Sequence, residues 1–118
     1  MIRKADQMEH EFRQNMRGGE GTVQIIHLFK EGEYKGNARL YARIVLEPGA
    51  SIGMHEHAGE EEIYTVIRGQ AILTDSTISQ EQLMSPGDAS LTLSGQSHAI
   101  RNAGAEPLEI MALVLRNT

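Results

Sequence analysis

The chain has 118 residues, enough for about one domain built on one core. A net charge of −5 and a pI near 5.5 leave no basic stripe for nucleic acid. No apolar run is long enough to span a membrane or to form a signal peptide, and the absence of cysteine fits a reducing compartment, so a cytoplasmic location is expected.

Residues 1–17 carry two periods. Met8, Phe12 and Met16 fall at helical spacing, whereas Phe12, Gln14 and Met16 alternate as a strand would. The glycine-rich turn at Gly18-Gly19-Glu20-Gly21 favours the second reading, a strand hairpin arm over about residues 1–30. Turn signals then recur roughly every 8–12 residues, the rhythm of an all-β sandwich or barrel. The runs between them are rich in Ile, Leu, Val and Thr and lie at 22–29, 39–46, 62–67, 71–74, 89–93, 98–101 and 108–115.

Two of these runs are apolar on both faces. In 62–67 one face holds Glu62, Tyr64 and Val66 and the other Ile63, Thr65 and Ile67. In 108–115 Leu108, Ile110, Ala112 and Val114 oppose Met111, Leu113 and Leu115. A strand with water on one side is polar on that side. A homodimer is therefore expected, the alternative being an N-terminal hairpin folded over the outer face.

The chemistry concentrates in the histidines. His55 and His57 flank Glu56 at the start of a strand-like run and so share one face, while Glu62 and a lone His98 follow. Two imidazoles with a neighbouring carboxylate make most of a divalent-metal site. Alone, His98 reads as a hydrogen-bonded core or surface histidine, and Glu60-Glu61-Glu62 as a solvated acidic turn.

The spacing carries more than the residue types. Gly49, five residues, His55-x-His57, four residues, Glu62, six residues and Gly69 form one unit. Gly87, seven residues, Gly95, two residues, His98, three residues and Asn102 form another. This pair resembles the cupin motifs G-x5-HxH-x3,4-E-x6-G and G-x5-PxG-x2-H-x3-N, with Leu93 standing where the second has Pro. The resemblance covers about residues 39–115. It implies an all-β, single-domain jelly-roll barrel (a double-stranded β-helix), usually dimeric. It also implies a metal held by His55, His57, Glu62 and His98. Some relatives of this kind are labelled oxalate-decarboxylase-like.

Three imidazoles and one carboxylate suit one divalent transition metal per chain. Mn or Fe comes first, with Zn, Ni or Cu as alternatives. A divalent ion with one carboxylate leaves a local charge near +1, which favours a small anionic chelator such as a carboxylate or 2-oxo acid. Tyr64, two residues after Glu62, is the candidate general acid/base, with a nearby metal lowering its phenol pKa. Its alternative is a core aromatic.

Arg43 is the candidate to hold a substrate carboxylate; Arg101 should face away from the metal, and Asn102 should cap a turn. In cupins that cleave oxalate an Arg lies three positions before the first motif histidine, whereas Ile52 stands there in this chain. The expected function is a metal-dependent small-molecule enzyme, and the alternative is a non-catalytic metal- and ligand-binding cupin. An interior lined only by Ile52, Val66, Leu91 and Ile100 would favour binding. A site where metal merely stabilises the barrel would be closed.

Overall fold

The structure is a computed structural model that describes residues 1–117. Its strands are β1 (Glu9–Gln14), β2 (Thr22–His27), β3 (Ala38–Leu46), β4 (Ser51–Glu56), β5 (Glu60–Arg68), β6 (Ala71–Asp75), β7 (Gln82–Met84), β8 (Ala89–Thr92), β9 (Ser97–Asn102) and β10 (Leu108–Arg116). They form two antiparallel sheets, one ordered β1-β2-β3-β10-β5-β8 and the other β4-β9-β6-β7. Together they make a jelly roll. Sequence neighbours such as β3 and β4 fall in different sheets, so the chain crosses repeatedly from one layer to the other.

Alternation builds the core. On β10, Leu108, Ile110, Ala112 and Val114 are buried and lie in register with Leu46, Ile44, Ala42 and Leu40 of β3. Val23 and Ile25 of β2 extend these rows, pairing with Leu46 and Ile44. The second sheet contributes Ile52, Ala71, Leu73, Met84 and Ile100 to the same cluster. At the opposite end of the sandwich the buried set turns polar, with His57, Glu62, Thr92 and His98. The end rich in Leu and Ile seals the barrel, and the other end holds the chemistry.

All the expected strand runs are present. Residues 1–17 resolve in favour of the strand, because β1 pairs with β2 from Glu9↔His27 to Gln14↔Thr22. Two strands were hidden in the sequence. β7 is only three residues long, and β4 carries the polar residues Ser51 and His55 on a short run. The histidine pair stands at the end of β4, not at the start of a strand. His57 lies just past the strand and keeps its orientation through a backbone bond from its N–H to Gln96 O at 3.0 Å.

The outer face of the larger sheet carries an apolar row in register, Leu91–Ile63–Leu113–Tyr41, across β8, β5, β10 and β3. Leu91 is 51 % exposed there, which corrects its expected place in the interior. Thr92 takes the inward position, and alternation sends Leu91 out. The N-terminal hairpin extends the edge of this sheet rather than folding over that row.

Backbone contact ties the N-terminal arm to the second sheet. The short 3-10 turn Met16–Gly18 docks on β4 through Gly19 and Gly53. A Cβ on Gly53 would stand 2.1 Å from Arg17 O, and one on Gly19 would stand 2.2 Å from Ser51 O. Ser51 reinforces the junction, its N–H donating to Glu20 O and its hydroxyl accepting from Glu20 N–H. Gly53→Ala should therefore cost about 1–3 kcal/mol, the range for forcing extra volume into a packed site. Urea unfolding checks this, with Gly36→Ala, where a Cβ meets nothing within 4 Å, keeping the wild-type midpoint.

Candidate metal centre

The site is assembled across the two sheets. His55 and His98 are register partners on the adjacent strands β4 and β9. Glu62 comes from β5 in the facing sheet, where it pairs with Val114 and Thr92. The donor atoms of His55, His57, Glu62 and His98 lie within 4.8 Å of one another. His98 Nε2 is 3.0 Å from His57 Nε2 and 3.2 Å from His55 Nε2. Glu62 Oε1 is 3.0 Å from both His57 Nε2 and His98 Nε2, and 4.0 Å from His55 Nε2.

Each ring is fixed by its other nitrogen. His55 Nδ1 donates to Gly53 O at 2.7 Å, and His57 Nδ1 meets Glu60 Oε1 at 3.0 Å. His98 Nδ1 meets the Thr92 hydroxyl at 2.8 Å. With Nδ1 engaged outside the centre, each ring turns its Nε2 inward, and a bound cation would take the Nε2 lone pairs in place of any proton held there. Glu60 is braced in turn by Arg39, whose Nε and Nη2 donate to it at 2.7 and 2.9 Å. The Nε2 atoms and one carboxylate oxygen facing a common point form a donor set that could hold a divalent cation.

The charges agree with that arrangement. Burial alone would push the Glu62 carboxyl up, but hydrogen bonds from His57 and His98 and their positive charge bring it down to about 2. Desolvation holds the His55 imidazole below its usual range, which favours the neutral form that can ligate. His57 moves the other way, raised chiefly by its hydrogen bond to Glu62, with burial opposing.

Tyr64 lies flat against His98, with ring centroids 4.8 Å apart and planes at 9°. Burial, with the Glu62 charge added, raises its phenol well above the usual range. Among the protein's own groups the neighbouring carboxylate opposes ionisation, the opposite direction to the lowering expected of a metal. Tyr64 forms part of the floor of the site.

A cavity of about 300 Å³ opens onto this floor, lined among others by His55, His57, Glu62, Tyr64, Arg17 and His27. Arg43 does not line it. It lies between the inward residues Ala42 and Ile44 of β3 and pairs with Glu109 at 2.6 Å. Its expected role in holding a substrate at this site is thereby corrected: strand alternation turns it to the outer face. Arg101 pairs with Glu81 on the surface. Asn102 caps its turn, donating to Leu46 O and Glu106 O and accepting from Gly104 N–H. Leu93, in place of Pro, closes its turn through paired bonds with Gln96.

Sequence reasoning missed three contributors: the Glu60–Arg39 brace, Arg17, and a His27–Glu11 pair at 2.9 Å in the cavity wall. For His27 a signal existed, since alternation from the apolar Val23 and Ile25 carries it to the inner face. For Arg17 and Glu60 the signal is purely spatial.

The family model of the cupin domain matches residues 42–114. The chain belongs to the cupin family. This cupin is 37% identical over 115 residues to an oxalate-binding protein of Thermotoga maritima, covering 98% of this chain and 93% of that one. A solved structure from Thermotoga maritima, described as a predicted oxalate decarboxylase, superimposes with a TM-score of 0.91 at 37% identity, covering 98% and 99% of the chains. More distant cupin-like barrels include KdgF from a Halomonas species, with a TM-score of 0.72 at 18% identity over 99% of this chain and 96% of that one. At that identity the likeness concerns the fold alone.

Glu60→Gln should keep the fold but weaken metal affinity by roughly 10–100-fold, the usual cost of losing the partner that orients a ligating imidazole. Competition titration against a chromogenic chelator measures it.

Proposed function

We propose that this cupin holds one divalent transition metal through His55, His57, Glu62 and His98 and binds a small carboxylate ligand of the oxalate class beside it. The observation that carries this reading is the convergence of the imidazole Nε2 atoms and Glu62 Oε1 at the floor of an open cavity. A site in which metal only stabilised the barrel would be closed. The neutral imidazoles and single carboxylate leave a bound divalent ion with net positive charge, which attracts an anionic oxygen ligand. When bound, such an ion supplies Lewis acidity to a coordinated carboxylate or carbonyl oxygen. The name of the Thermotoga maritima oxalate-binding relative supports the ligand class.

Turnover of the ligand is the second reading. It is favoured by the His27–Glu11 pair, a histidine–carboxylate couple facing the same cavity, and by the Tyr64 phenol at its floor. Ile52, with a buried aliphatic side chain, offers no charge to a substrate there.

Protein purified without chelators should carry about one equivalent of Mn, Fe, Zn, Ni or Cu, and His57→Ala should lose it, as read by elemental analysis. Calorimetry should then show oxalate binding to the metal-loaded form and not after metal removal. Equal binding to both forms, or a wild type that takes up no metal on titration, would sink the reading.

A homodimer through the outer sheet face accompanies this proposal. The Leu91–Ile63–Leu113–Tyr41 row runs across antiparallel strands, so a two-fold axis through it lays the same row on itself. Sedimentation should give a dimer for the wild type and a monomer with intact metal content for Leu113→Lys.

A further inference from the structure

Arg17 occupies an unusual position in this molecule. It lies in the wall of the cavity that opens onto His55, His57, Glu62 and Tyr64. The other arginines around that cavity have partners. Arg39 is held by Glu60, Arg13 by Glu11, and Arg116, just outside, by Glu31. The cavity's carboxylates are engaged as well. Glu11 faces His27 and Arg13, Glu31 faces Arg116, and Glu62 faces the imidazoles. Among the described residues Arg17 makes no ion pair. The cavity wall therefore holds a guanidinium whose complement is not supplied by the protein's own side chains.

The backbone beneath it is also unusual. Arg17 has φ 56° and ψ 32°, in the left-handed region that costs a side chain with a Cβ, and Asn15 shares it at φ 52°. A sequence free to choose would place Gly there, as it does at the next residue, Gly18. The strained conformation is held by the Gly19–Gly53 contact, which brings Arg17 O against β4 two residues before His55. The arm is thus clamped to the strand that carries a candidate metal ligand, and backbone packing holds Arg17 in the wall of the same cavity.

Resting on the reading that a carboxylate ligand occupies this cavity, we propose that Arg17 is its anion-recognition residue: its guanidinium pairs with the ligand carboxylate and makes the site prefer dicarboxylates over oxygen chelators that lack a carboxylate. An arginine fork matches a carboxylate with two parallel hydrogen bonds, which supplies direction as well as charge. The other arginines of the cavity wall, Arg13 and Arg39, already pair with carboxylates of the protein.

The test compares wild type with Arg17→Gln, Arg17→Lys and Arg17→Gly, each loaded with the same metal. The probes are oxalate and acetohydroxamate, an oxygen chelator without a carboxylate, titrated by calorimetry. Metal affinity and melting temperature are measured alongside. Arg17→Gln should lose about tenfold or more in oxalate affinity. Its metal affinity and acetohydroxamate affinity should be unchanged. Arg17→Lys should recover part of the loss, since it restores charge without the fork. Arg17→Gly should melt higher than wild type, because the backbone strain is relieved, while binding oxalate as weakly as Arg17→Gln. If oxalate binds wild type and Arg17→Gln equally, the role of Arg17 is overturned and the ligand reading stands. If both probes weaken together, Arg17 merely supports the fold, which also overturns the proposal. If oxalate does not bind loaded wild type at all, the ligand reading falls and this inference falls with it.

Discussion

The structure depends on one carboxylate, Glu62, buried against the imidazoles of His57 and His98. A carboxylate removed from water is costly unless opposite charge and hydrogen bonds replace the solvent. Here the replacement comes from the other sheet, so the two layers must close over each other in one register for Glu62 to be satisfied. The apolar rows of β3, β10 and β2 supply the drive to close, and the polar end sets the alignment. The same convergence that satisfies Glu62 brings the imidazole Nε2 atoms to a common point, so a metal-binding geometry and a structural constraint coincide.

Support for that centre comes from the backbone as well as from the side chains of Glu60 and Thr92. The carbonyl of Gly53 orients His55, and the N–H of His57 is anchored on Gln96 O. Gly53 also receives the N-terminal arm at contact distances that exclude a side chain. One residue therefore serves the orientation of a candidate ligand and the closure of the cavity wall. That coupling places the arm, which lies before the stretch matched by the family model, within the functional unit.

Much of the barrel was legible because strand alternation is a local property. Leu108, Ile110, Ala112 and Val114 announce an inward face without reference to any neighbour, and the histidine and glutamate spacing announced the centre. Legibility failed where a residue's direction depends on its exact place in a strand. Leu91 was assigned to the interior and Arg43 to the site, yet both stand one step from inward positions and face out. The three-residue β7 was too short for any period to emerge.

The sequence by itself determined the fold class, the cupin motifs and the four candidate ligands, because hydrophobic period and residue spacing are carried along the chain. It also determined that no thiolate could take part. Only the tertiary structure decided that His55, His57 and His98 face Glu62 across two sheets, that Tyr64 stacks on His98 beside that carboxylate, and that Arg17 and His27 line the cavity. Those facts are distances between residues far apart in sequence. They are set by how the two sheets close and by a backbone contact between two glycines, neither of which leaves a periodic trace in the chain.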